Sequence, residues 1–119
     1  MGRQIFSIAL VGLVLAAGSA AGQDNENTAK EVQDGHHLAL MVCAICHVAA
    51  PDQRSDPILR PPAPPFATIV QRKDFSAEWL KNFLATTHRG LDTPAGMPNP
   101  QLADYQVQEI VAYMMSLRK

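Results

Sequence analysis

Apolar residues recur at helical spacing at both ends of this chain, and proline and glycine interrupt the pattern between them. Near the C-terminus, Val107, Ile110, Val111, Met114 and Leu117 form one stripe with Tyr113 beside it, which predicts a helix from about Asp104 to Leu117. Upstream, Val32, Gly35, Ala39 and Val42 repeat with the same period and predict a first helix beginning at Ala29. Thr28-Ala29-Lys30-Glu31 has the form of a capping box, with Thr28 as N-cap and Glu31 reaching back, so Gln23 to Asn27 reads as a polar tail. Gly35 lies on the stripe itself, at a cost of about 1 kcal/mol relative to alanine, and something must pack closely there. His36 and His37 beside the stripe read as solvated surface side chains. Trp79, Leu80, Phe83 and Leu84 share one face of a further helix capped by Ser76, and Phe66, Ile69 and Val70 suggest a shorter one before it. Met41, Met114 and Met115 fall in helical stretches and read as packing.

The interruptions are as informative as the helices. Six of the nine prolines lie between Pro51 and Pro65, a density that no helix or central strand survives, so this segment is a wrapped loop. A second loop, His88 to Pro100, carries Gly90, Pro94, Gly96, Pro98 and Pro100. Met97 sits in that loop between Gly96 and Pro98, where a methionine is not ordinary core filling. No strand alternation appears, and the fold class is all-α with long loops.

Residues 1–22 differ from the rest. Arg3 gives a positive start, Ile5 to Ala17 is an apolar run broken only by Ser7 and Gly12, and Gly18 to Gly22 are all small. This is the form of a secretory signal peptide cleaved around residues 20–22; the other reading is an uncleaved anchor, for which the run is short. Cleavage leaves one domain, residues 23–119, with nine basic against eleven acidic residues. That mildly acidic balance argues against a nucleic-acid partner, and the mature domain has no membrane span. Export also places the two cysteines on the oxidising side of the membrane, where they must be committed to something.

That commitment is legible in Cys43-Ala44-Ile45-Cys46-His47, the attachment signature of c-type haem. Residues three apart on a helical turn share a face, so both sulfurs can bond the vinyl groups of one ring, and His47 can reach the iron. A redox dithiol would accompany a strand–helix–strand pattern, which is absent. A zinc site would need a second pair of ligands, and a disulfide this short would stabilise little. Trp79 is core or, if its buried indole N–H needs an acceptor, a partner for a haem propionate.

Together these stretches resemble a class I cytochrome c, of the small single-haem periplasmic kind found in bacteria. The resemblance spans about Thr28 to Arg118 and rests on Cys43-Ala44-Ile45-Cys46-His47, Ala63-Pro64-Pro65-Phe66, the Trp79-Leu80 helix, Gly96-Met97-Pro98-Asn99 and Ile110-Val111-Ala112-Tyr113. It implies a small cytochrome c fold wrapped around one covalent haem c. It also implies His47 and Met97 as the axial ligands, the Pro64 carbonyl on the proximal histidine, and Phe66 and Trp79 among the residues around the cofactor. Gly35 and Tyr113 match a helix crossing of glycine on aromatic. Ala103 stands where the group usually has a Ser or Thr N-cap, so Asp104 is expected to cap, or the helix start to fray by about 1 kcal/mol. His88 is a second possible iron ligand beside the Met97 loop.

With both axial positions filled, iron can only change oxidation state. The expected function is therefore one-electron shuttling between donor and acceptor proteins in the periplasm by a monomer, not catalysis. The alternatives are a haem subunit of a dehydrogenase or oxidase complex, and a sensor or peroxidase-like enzyme that releases Met97.

Overall fold

The computed structural model describes residues 21–86 and 96–119. The expected leader, apart from Ala21 and Gly22, and His88 lie outside the described residues. Four helices follow in order: α1 (Ala21–Leu38), continued by a wider π turn (Ala39–Cys43), α2 (Phe66–Ile69), α3 (Ala77–Thr86) and α4 (Asp104–Ser116). Among the described residues the only β-type pairing is a single parallel bridge between His47 and Ala63, so the fold is all-α.

Helix α1 begins earlier than the capping box implies. Thr28 is inside it, and its Oγ1 donates to the Asp24 carbonyl at 2.8 Å rather than capping a new start. A capping box works only where the chain before it leaves the helix, and no glycine or proline stands between Gln23 and Thr28 to make it leave. The polar tail is thus the first turns of α1.

Helix α1 packs chiefly on α4, and α3 packs on α4 as well. Val107, Ile110, Val111 and Met114 are buried along α4 as their period requires, and Tyr113 is buried with them. Leu117, half-buried, is the residue after the helix. Met115 and Met41, read as packing, are instead 37% and 62% exposed. Met115 follows Met114 by one residue and so turns about 100° away from the buried stripe. Within the π turn Ala39 is the buried residue and Met41 lies on its outer side.

Helices α3 and α4 start in different ways. At α3, Ser76 Oγ accepts the Trp79 N–H at 3.0 Å, the expected N-cap. At α4, Asp104 does not take over the capping role. Ala103 is the N-cap, and Gln106 Oε1 accepts the Ala103 N–H at 3.0 Å, which supplies the reach-back half of a capping box without its side-chain cap.

The proline-rich loop returns alongside the residues after α1. Residues 57–66 include five prolines, which have no N–H. Three of the remaining donors meet the earlier chain: Ile58 N–H on Ile45 O at 2.9 Å, Ala63 N–H on Cys46 O at 3.0 Å, and Phe66 N–H on Val48 O at 3.0 Å.

Candidate functional site

The π turn delivers the Cys-x-x-Cys-His stretch. Ala44 N–H donates to Ala39 O, five residues back, at 3.0 Å; such turns insert an extra residue and gather at functional sites. Cys46 N–H and His47 N–H then both close on Cys43 O, at 3.1 and 2.9 Å. The result is one cleft lined by Val42, Cys43, Cys46, His47, Met97, Pro98 and Pro100. His47 and Met97, fifty positions apart in the chain, share it.

His47 is buried, and its Nδ1 lies 2.7 Å from the Pro64 carbonyl oxygen. A carbonyl can only accept, so Nδ1 donates, and Nε2 is the ring nitrogen left to bind a metal. Among the described residues Nε2 has no hydrogen-bond partner. An orphaned buried nitrogen costs about 1–3 kcal/mol unless something coordinates or donates to it. The Phe66 ring, 5.4 Å from the imidazole and tilted 56°, supports it from another side.

Cys43 and Cys46 are not joined to each other by a disulfide. Before attachment, burial, and secondarily the neighbouring Cys46, push the Cys43 thiol up to about 11. A protonated thiol can add across a vinyl double bond, sulfur to one carbon and hydrogen to the other. Among the described residues no three His, Cys, Asp or Glu side chains converge as a metal-holding cluster. Cys43, Cys46 and His47 line one cleft with the Met97 thioether, two thiols to bond a ring and two side chains to ligate its iron. The donor set present fits a haem.

The structure brings Cys43, Cys46, His47 and Met97 together, with Pro64 and Phe66 behind the imidazole. Trp79 does not line this cleft. It stacks on Phe83 at 5.1 Å, lies 6.0 Å from the Phe75 ring, and has the Arg72 guanidinium 5.3 Å from its centroid.

Three connections around the site have no sequence signal. Gln53 holds the backbone near His47 through its side-chain amide. Tyr113 donates its hydroxyl to Ala49 O at 3.0 Å, and burial raises its pKa, keeping that proton in place. His36, read as a solvated side chain, is half-buried 5.2 Å from the Tyr113 ring, and its Nε2 meets Asp52 Oδ1 at 2.8 Å. A partner sixteen residues away in an irregular loop leaves no periodic mark; His37 remains exposed.

An all-α arrangement of the described residues, with a Cys-x-x-Cys-His turn and a proline carbonyl on the histidine, is the architecture of a c-type haem protein. The family model for cytochrome c matches residues 32–118. Cytochrome c-552 of Bradyrhizobium diazoefficiens is 36% identical over 106 residues, an alignment spanning 89% of this chain and 90% of that protein. No solved structure matches the chain. The chain belongs to the cytochrome c family. It is an electron-transfer protein whose haem c is attached through Cys43 and Cys46.

Proposed function

We propose that the chain is a monomeric one-electron carrier, exported to the periplasm by a signal peptide of residues 1–22 that is then cleaved, with its haem iron held between His47 and Met97. The observation that carries this reading is the shared cleft: an imidazole held through Nδ1 and a thioether occupy one space with the two attachment cysteines. Haem supplies an iron that gains or loses one electron. His47 would take one axial position, oriented and made a stronger donor by the Nδ1–H bond to Pro64 O. Met97, flanked by Gly96 and Pro98, would take the other, and its soft sulfur favours the ferrous state more than a second imidazole would. Phe66 backs the imidazole, and the Trp79 indole N–H would serve a propionate. Two protein ligands leave no position for a substrate, which supports a carrier over an enzyme. Among the described residues no helix is long and apolar enough to cross a membrane. Donor and acceptor would meet the protein briefly, at the edge of the ring near the thioethers.

The test is the ferric spectrum. Methionine–iron coordination gives a weak band at the red end that bis-histidine iron lacks. Met97→Ala should abolish it, lower the potential and admit cyanide, while His88→Ala should leave all three unchanged. The opposite pattern would assign the ligand to His88.

One observation favours the second reading, a permanent haem subunit. Ile45, Ile58 and Leu59 are 53%, 72% and 44% exposed, and Ile58 is joined to Ile45 beside Cys46. A carrier should run through gel filtration of a native extract at the size of the monomer; a subunit should elute with a larger partner.

A further inference from the structure

We propose that Gln53 is a positioning residue for the proximal ligand, holding the His47 backbone so that Nδ1 meets the Pro64 carbonyl. The inference rests on reading His47 as an iron ligand.

It comes from a complete account of the backbone carbonyls around the haem motif. Every buried carbonyl needs a donor, and the five from Ala44 to Val48 follow a turn that offers no continuing helix. The returning proline-rich loop serves three of them: Ile45 O from Ile58, Cys46 O from Ala63, and Val48 O from Phe66. Ala44 O and His47 O are the two it misses, because the prolines remove donors from that limb. Gln53 reaches both. Its Nε2 lies 3.1 Å from His47 O and 3.3 Å from Ala44 O, and also 2.8 Å from Ser55 O. An amide has two such protons for these three acceptors, so at least one is shared. Its Oε1 meanwhile accepts the Ala49 N–H at 2.7 Å. The Ala49 carbonyl is held separately by the Tyr113 hydroxyl.

His47 is therefore held at both ends, by Pro64 on its ring and by Gln53 on its carbonyl. The two holds are linked through the residue's own torsions. A hydrogen bond weakens steeply as its angle departs from linear, so a modest rotation of the His47 backbone is enough to loosen the Pro64 contact. Neither periodicity nor motif spacing marks Gln53, a single polar residue in an irregular loop.

The experiment is solvent exchange of the His47 Nδ1 proton, followed by NMR in the reduced haem-loaded protein, for the parent, Gln53→Ala and Gln53→Glu. Glutamate keeps an acceptor for the Ala49 N–H but has no proton for the Ala44 and His47 carbonyls, so it separates the two halves of the amide. In both variants the Nδ1 proton should exchange about tenfold faster, while the amides of Ile110 and Val111 in α4 stay within about twofold of the parent. Equal acceleration at both places would show that Gln53 only stabilises the fold, and no acceleration would make it a bystander; either overturns the proposal. If Gln53→Ala does not retain haem, Gln53→Glu decides alone, and its failure to retain haem also counts against a positioning role. Failure of the ligand reading is separable: the His47 ring protons of the parent would then lack the ring-current shift of an axial imidazole.

Discussion

A Cβ at Gly35 would lie 1.9 Å from the Glu109 carbonyl oxygen, 2.5 Å from its carbon and 2.8 Å from Tyr113 Cβ. Two of those atoms belong to the α4 backbone, so relief requires the helices to part. Overpacking of this kind costs about 3 kcal/mol or more, against about 1 kcal/mol gained from the better helix propensity of alanine. Gly35→Ala should therefore destabilise the haem-loaded protein by about 2 kcal/mol or more, read as a lower guanidinium midpoint. An unchanged midpoint would mean the crossing is looser than described. Tyr113→Phe removes the hydroxyl that satisfies Ala49 O and should cost about 1 kcal/mol in the same assay. Gly35 could be picked out in advance because glycine on an apolar stripe contradicts propensity. Gln53 and the His36–Asp52 pair contradict nothing locally, and so stayed invisible until the loop's path was known.

The elements were legible to different depths for physical reasons. Helix α4 has a period of 3.6 that burial follows residue by residue, and the haem turn is a local signature whose spacing is its chemistry. The first helix was legible in its apolar half only: residues 23–28 are all polar, and pattern has nothing to track there. The wider turn at Ala39–Cys43 has no sequence mark either, since it is set by where α1 must end to place Cys43. The loop after the haem motif is tied to α1 through His36, and that tie is titratable. The hydrogen bond from His36, then its own backbone and the charges of His36 and Arg54, hold Asp52 below its ordinary 3.8. A carboxylate with a lowered folded pKa contributes stability that is present above its unfolded pKa and disappears as pH falls through the folded value. The parent should accordingly melt above Asp52→Asn at pH 6, and the gap should close as the pH is taken below 3.8. The pair is exposed and the gap modest. A gap that persists at pH 2 would place the effect of Asp52 in packing rather than charge.

As a whole, the molecule is built around a centre that its own side chains fill sparingly. The buried residues adjoining the haem turn along the chain include Ala39, Ala44, Ala49 and Ala50, and the largest fully buried side chains are Ile110, Met114 and Val70. A domain matched over residues 32–118, under a hundred residues, with this core is close to the limit of independent stability. The Cys43→Ser, Cys46→Ser double variant, unable to attach the ring, should show reduced helical circular dichroism and no cooperative melt. A sharp transition near that of the haem-loaded protein would mean the polypeptide folds without it. An iron closed on both faces that passes one electron at a time can be followed by spectroelectrochemical titration of the haem-loaded protein with and without carbon monoxide. The expected result is one reversible single-electron wave that carbon monoxide leaves in place. A ferrous spectrum that shifts on adding carbon monoxide to the unmodified protein would show an open coordination position and contradict it.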